Sequence, residues 1–209
     1  MVGNWNILYV LDLLGTSAFA FSGALCAIRR RPDPVGMVIL ATATAIGGGM
    51  IRDMLLGNPA RVLADVSYLL VTLLSAGICI FVPRLLLHQR KFFLYFDAFG
   101  LGVFSAIGAA IAIDRHMNPL SVLFIAAITG AGGGIVRDVL LGKMPVVLYR
   151  DIYISAVMAG AGLMMAIRLT PLPEWVAPVA AITATTAIRV LAIRFNWRLP
   201  RINTSPSDD

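Results

Sequence analysis

Charge is scarce in this chain. Asp, Glu, Lys and Arg supply 13% of its 209 residues and hydrophobic side chains 59%. Soluble domains run at about 25% charged and about 45–50% apolar. With a mean hydropathy of +0.86, a water-soluble core of this size is excluded, and the class is a polytopic membrane protein. Histidine and cysteine number two each. His88 and His116 fall in predicted connections, far apart, and do not make a metal site. Cys26 and Cys79 lie inside apolar runs without CxxC spacing, which leaves them as small buried side chains. P-loop, HExxH and GxSxG patterns are missing, so no enzyme and no cofactor are expected. No basic helix with interleaved aromatics exists to turn the net charge of +6 into a nucleic-acid footprint; loops facing anionic headgroups account for it. A TVGYG-type filter is absent too, so strong discrimination of K+ from Na+ is not expected. Nothing basic precedes the first apolar run. Ala18-Phe19-Ala20 therefore reads as part of a retained span and not as a cleavage site, with the mature chain starting near Met1.

Seven apolar runs are long enough to cross a membrane, about 6–28, 35–56, 66–87, 93–113, 119–141, 151–169 and 176–195, each near the ~20 residues a spanning helix needs. Arg29 to Pro34, Asn58-Pro59, Asn118-Pro119, Pro171 and Pro173 punctuate them. Lipid offers the backbone no partners, which restricts the spans to helices or a closed barrel. Continuous apolar runs without period-two alternation exclude the barrel. The fold class is all-α. One transmembrane domain covers 1–195, and 196–209 form a short cytoplasmic tail. Trp5, Trp175 and Trp197 stand near span ends, where an aromatic belt belongs. Connections one, three and five and the tail hold Arg29, Arg30, Arg31, Arg84, Arg90, Lys91, Lys143, Arg150, Arg194, Arg198 and Arg201; the other side holds Arg61, Arg115 and Arg168. Eleven against three places the tail in the cytoplasm and the N-terminus outside.

What the chain does have is a duplication. Gly47-Gly48-Gly49-Met50-Ile51-Arg52-Asp53-Met54-Leu55-Leu56-Gly57 returns as Gly132-Gly133-Gly134-Ile135-Val136-Arg137-Asp138-Val139-Leu140-Leu141-Gly142. The offset that carries Gly47 to Gly132 also takes Asp12 to Asp97, Gly15 to Gly100, Phe19 to Phe104, Gly23 to Gly108, Arg30 to Arg115, Thr44 to Thr129 and Tyr68 to Tyr153. One register over both halves marks a repeated unit. Repeat one is 6–87, repeat two 93–169, and the helix 176–195 lies outside them. Three spans per unit is an odd number, so the second unit enters the membrane from the opposite side. Inverted repeats place a site or pore near the midplane, where the halves meet.

The candidate site residues follow from cost. Each Gly in a helix interior costs about 1 kcal/mol against Ala. Gly47 to Gly49 and Gly132 to Gly134, with Thr44 and Thr129 beside them, favour a kink or unwound turn that bares carbonyls to a polar path. Close helix packing is the competing reading, and Gly23 with Ala27 and Gly130 with Gly134 have its spacing. Arg52-Asp53 and Arg137-Asp138 come one turn later, toward opposite faces. Charges at this depth face a bundle interior or cavity. Neighbours in sequence do not face each other on a helix, so each Arg is expected to reach a carboxylate on another helix, Asp12 or Asp97. Whether these charges line the path or brace the bundle stays open. Arg189 either neutralises Asp53 or Asp138 as a gate, or snorkels to the cytoplasmic interface. Four acids against three bases in this set give a slight bias toward cations.

The two GGG-x-x-R-D-x-L-L-G segments, the three-plus-three-plus-one span pattern and the outside N-terminus resemble the prokaryotic branch of the trimeric intracellular cation (TRIC) channel family. The resemblance covers all seven spans. It implies a homotrimer in the bacterial or archaeal plasma membrane with a pore inside each protomer, shaped by spans two and five and passing K+ and other monovalent cations, with bound lipid at its surface. The Lys- and Glu-rich lipid motif of the animal members is not evident. The same bacterial families also carry a glycine-transporter label, which keeps a secondary carrier for glycine or a similar small solute as the alternative.

Overall fold

A computed structural model describes residues 3–28, 30, 32–81, 92–149 and 152–197, with side chains from Tyr9 onward. The Trp5 side chain, Arg29, Arg31, the end of the third predicted span with Arg84, His88, Arg90 and Lys91, Arg150, Arg198, Arg201 and nearly all of the tail lie outside it. Nine helices occur among the described residues: α1 Gly3–Ile28, α2 Pro34–Leu55, α3 Arg61–Ala64, α4 Val66–Phe81, α5 Phe92–Asp114, α6 Pro119–Leu140, α7 Val146–Tyr149, α8 Ile154–Arg168 and α9 Val176–Phe195.

The start and stop signals of α2 and α6 match. Each opens with proline in its first turn, behind a cap whose side chain accepts a backbone N–H: Asp33 from Gly36 at 2.6 Å, Asn118 from Ser121 at 2.9 Å. These caps satisfy a donor the first turn would otherwise leave bare. Each closes on a glycine in the left-handed region, Gly57 at φ +66° and Gly142 at φ +63°. Asn58 N–H then returns to Asp53 O and Lys143 N–H to Asp138 O, the six-to-one bond of a Schellman stop. At 22 residues each helix is about 33 Å long, enough for the ~30 Å hydrocarbon.

Five helices are long and apolar enough to span a membrane: α1 from Tyr9, α2, α5, α6 and α9. The third predicted span starts at Val66 as expected, and its described part ends at Phe81. The sixth is α8, only 15 residues, with the separate short helix α7 before it. The sequence reading did not anticipate α3 and α7.

Helices α2 and α6 pack together at the centre, with α1 against α2 and α5 against α6. α4 covers α1 and α2; α8 and α9 cover the other half. The core between them is rich in alanine, with Phe19 stacked on Phe104 at 5.3 Å. Large side chains such as Ile39, Leu74, Phe81, Leu120 and Phe124 point outward, as lipid contact requires and water would not permit on this scale.

The contacts between halves come in exchanged pairs. A Cβ on Gly48 would run into the carbonyl oxygen of Thr129, and a Cβ on Gly133 into that of Thr44. Gly15 meets Phe104, and Gly100 meets Phe19. In both cases a contact from the first half to the second is returned between the repeat equivalents of the same two residues, the signature of a two-fold relation between the halves.

This packing also corrects one expectation. Both α2 and α6 continue as α-helix through the glycine triplets, so no turn is unwound there. The triplets let two backbones approach more closely than any side chain would allow. Gly48→Ala and Gly133→Ala are each expected to cost about 1–3 kcal/mol by overpacking, measured as a lower midpoint in detergent thermal unfolding, while Gly77→Ala, which meets nothing within 4 Å, leaves the midpoint near wild type.

Candidate functional site: two buried charge clusters

The last turns of α2 and α6 carry Arg52-Asp53 and Arg137-Asp138. All four side chains are buried, Arg52 at 2% and Arg137 at 0% exposure. Such charges are tolerated only when paired and hydrogen-bonded. The first partner is the residue next in sequence: Arg52 Nε donates to Asp53 Oδ1 at 2.9 Å, and Arg137 Nε to Asp138 Oδ1 at 2.9 Å. This overturns the expectation that neighbours on a helix do not meet. The long guanidinium folds back on the carboxylate, and burial leaves it no better alternative. Each Asp uses its other oxygen to hold a short helix, Asp53 Oδ2 accepting from Arg61 N at 3.3 Å and Asp138 Oδ2 from Val146 N at 2.8 Å. Arg61 and Val146 are again repeat equivalents. That is why α3 and α7 form where they do.

Beyond this the clusters differ. Arg137 Nη1 reaches across to Asp97 Oδ1 at 2.6 Å and to Ser22 Oγ at 2.7 Å. The expected ion pair between helices is present at this end. At the other, Asp12 is taken by Tyr68, whose hydroxyl donates to Oδ2 at 2.8 Å, and Arg61 Nη1 stands 4.0 Å from the same oxygen; Arg52 makes no ion pair with it among the described residues. Nη1 of Arg52 and Oδ2 of Asp97 are buried with no hydrogen-bond partner among the described residues. Beside Arg52 lies a cavity of about 20 Å³ lined by Asp12, Thr16, Gly49, Arg52, Asp53 and Tyr68 among others, room for about one water molecule.

Arg189 on α9 is 2% exposed, so it does not snorkel. Its Nη1 donates to Ile152 O at 2.5 Å and its guanidinium lies over the Tyr153 ring at 4.5 Å, close enough for a cation–π attraction. Tyr153 is the repeat partner of Tyr68 and is packed beside Asp97. A second arginine thus attends each cluster, Arg61 from α3 at one end and Arg189 from outside the duplication at the other.

The remaining predicted residues are placed by packing. Thr44 and Thr129 are fully buried, each donating to the carbonyl of the preceding turn at 2.6 Å, and they sit against Gly23 and Gly108. Of the two triplets, Gly49 lines the cavity, whereas Gly47, Gly48, Gly132 and Gly133 lie in the α2–α6 crossing and Gly134 faces the Tyr153 hydroxyl. Arginines also tie the ends of the halves together. Arg115 donates to Leu56 O at 2.9 Å and to Asn58 Oδ1 at 2.5 Å. Its counterpart Arg30 reaches Leu141 O at 3.5 Å, the same exchange between repeat equivalents. Near the first cluster, the exposed Asp65 carboxylate accepts from Tyr9 and from the backbone of Ser67, which holds its pKa below the usual value. Sequence reasoning missed Ser22, Arg61 and Tyr68 as partners. Tyr68 was marked by its return as Tyr153; Ser22 returns as Ile107 and Arg61 as Val146, so the repeat carried no signal for them.

Apolar spanning helices packed around paired buried charges define a multi-pass membrane protein. A family model described as glycine transporter matches residues 9–84 and again 94–168, two segments that start at the same point of each repeat. The UPF0126 inner membrane protein YadS of Escherichia coli (strain K12) is 37% identical over 197 residues, covering 93% of this chain and 95% of that protein. The UPF0126 membrane protein YvgT of Bacillus subtilis (strain 168) is 39% identical over 194 residues, covering 91% and 94%. A prokaryotic TRIC channel crystallised in 0.5 M KCl is 32% identical, with a TM-score of 0.87 over 93% of this chain and all (100%) of that one. The TRIC trimeric intracellular cation channel orthologue from Rhodobacter sphaeroides is 32% identical, with a TM-score of 0.84 over 91% and 99%. The chain belongs to this family of bacterial membrane proteins, which shares the fold of the prokaryotic TRIC channels.

The two clusters differ in how much each acid matters. Asp97→Ala leaves the Arg137 charge with Asp138 and the neutral Ser22 hydroxyl and is expected to cost about 3–5 kcal/mol, as for one partner of a buried pair. Asp12→Ala leaves a phenol beside a cavity that admits water and is expected to cost about 1–3 kcal/mol. Thermal unfolding of the two variants in one detergent checks the order.

Proposed function

We propose that this protein is a homotrimeric channel for monovalent cations, K+ or Na+, with a path inside each protomer between two inverted three-helix repeats. In this reading the chain crosses the membrane seven times as one domain over 1–195, with the N-terminus outside and the short tail in the cytoplasm. Repeat one is 6–87, repeat two 93–169, and α9 completes the protomer. Lipid surrounds the trimer.

The observation that carries the reading is the joint match of sequence and fold to TRIC cation channels over more than nine-tenths of the chain, at 32% identity and a TM-score of 0.87. The exchanged contacts between the halves support the inversion, because a two-fold axis lying in the membrane plane relates units of opposite orientation. The buried clusters support a polar path. Intramembrane ionisable groups face a bundle interior or a water-filled cavity, and Asp12, Arg52 and Asp53 border one. That cavity has room for about one water. Asp12, Arg52, Asp53 and Gly49 line the path at one end, Asp97, Arg137 and Asp138 at the other, and Arg189 adjusts the field through Tyr153.

A second reading rests on the family model's own description, glycine transporter. A carrier would use the same inverted repeats to expose a central site to each side in turn. Single-channel recording of the purified protein in planar bilayers under a KCl gradient separates the two. Discrete steps that reverse near the K+ equilibrium potential are expected. Reversal at the Cl− potential would overturn cation selectivity. Silence together with saturable uptake of labelled glycine into liposomes would replace the channel by the carrier.

A further inference from the structure

We infer that Ser22 is a positioning residue that makes the two ends of the path unequal: it locks the Arg137 end shut, while the Arg52 end, which lacks its counterpart, stays hydrated. The inference rests on the channel reading above and adds a functional difference between ends that the duplication alone would make alike.

At the Arg137 end the guanidinium is met by groups held in the bundle, Asp138, Asp97 and Ser22. Ser22 Oγ accepts from Arg137 Nη1 at 2.7 Å and donates to Phe93 O at 3.2 Å. The hydroxyl is thereby fixed in place between α1 and α5, with its lone pairs presented to the guanidinium. The same nitrogen holds Asp97 at 2.6 Å. Ser22 is 0% exposed, so water does not compete for either bond. Charge-assisted bonds of this kind are stronger than neutral ones, and here they tie α1, α5 and α6 at one point.

The repeat equivalent of Ser22 in the other half is Ile107. Isoleucine has no acceptor. Arg52 Nη1, the atom equivalent to the one Ser22 holds, has no partner among the described residues although Arg52 is 2% exposed. The cavity beside it is polar, bordered by Asp12, Thr16 and Tyr68, and large enough for about one water. A buried donor without a protein acceptor next to such a space takes a water molecule. One end is closed by protein atoms and the other is filled by solvent. Opening the path therefore means releasing Arg137.

Three variants and two readouts test this. Ser22→Ala removes one charge-assisted bond from the closed state and is expected to raise open probability about tenfold with the unitary current unchanged. Ser22→Thr restores the hydroxyl and is expected to return opening toward wild type. Ile107→Ser offers Arg52 the missing acceptor and is expected to lower opening. The second readout does not need current: backbone hydrogen exchange, followed by mass spectrometry, should quicken over 137–143 in Ser22→Ala and slow over 52–58 in Ile107→Ser. Wild-type opening and wild-type exchange in both Ser22→Ala and Ile107→Ser would overturn the inference. So would an Ala variant that Thr does not rescue. Where Ser22→Ala fails to fold, Ile107→Ser decides alone. A silent wild-type channel would defeat the channel reading and leave the exchange arm to judge Ser22.

Discussion

A guanidinium placed among apolar helices must be met by acceptors, because the interior offers neither bulk water nor ions to screen it. This constraint organises the molecule. Arg52 and Arg137 each take the carboxylate next in sequence, which frees the second oxygen of that carboxylate to hold the start of a short helix. The chain leaving α2 or α6 is thereby turned back onto the bundle almost at once. Each short helix leads to a tyrosine, Tyr68 or Tyr153, that packs beside the acid of the first helix in its half, Asp12 or Asp97. Removing the arginine would undo the pairing, the turn and the placement of the phenol together.

The glycines serve the same end from the other direction. Two helices separated by side chains sit about 8–10 Å apart. At Gly48 and Gly133 the facing contacts are backbone carbonyls, so α2 and α6 cross backbone against backbone with no room for a side chain between them. The crossing lies one turn before the arginines, and it fixes the distance over which each guanidinium must find its partners. Close packing and buried charge are thus one design. Phe19 and Phe104, stacked on each other and each seated on a glycine of the opposite half, mark where the two-fold axis passes.

Much of this was legible in the sequence, and the gaps have physical causes. The long apolar runs gave the all-helical class, and the repeat gave the correspondence of elements and the importance of the Arg-Asp segments, because duplication preserves spacing. It pointed to Asp97 as a partner for Arg137. At the triplets, cost per glycine argued for a kink or an unwound turn, and no turn is unwound there. The cost is offset by packing that propensity does not see, and both helices continue unbroken. The rule that adjacent helical residues do not face each other failed for a related reason. It describes side chains on a solvated surface, where water competes for every donor, and a buried arginine has no such competitor. Ser22 and Arg61 were invisible because their repeat partners, Ile107 and Val146, are apolar.

Those departures from the repeat are where the functional argument concentrates. A duplication identical in every residue would give a path whose two ends bind, open and close alike. Here the framework is kept: glycine stops, Arg-Asp pairs, acids and tyrosines all recur at one offset. The groups around each guanidinium do not. Arg61 attends the first cluster from a half-exposed short helix, whereas Arg189 attends the second from a buried position on a helix that belongs to neither repeat. Asn58 accepts from Arg115, but its counterpart is Lys143, whose side chain has no acceptor to offer Arg30, and that latch is longer, 3.5 Å against 2.9 Å to the equivalent carbonyl. Each difference leaves the shared scaffold intact and alters what one end exposes to water or to charge. A membrane path with a direction needs such a division of labour: symmetric parts to build the conduit, and unlike parts to tell its two mouths apart.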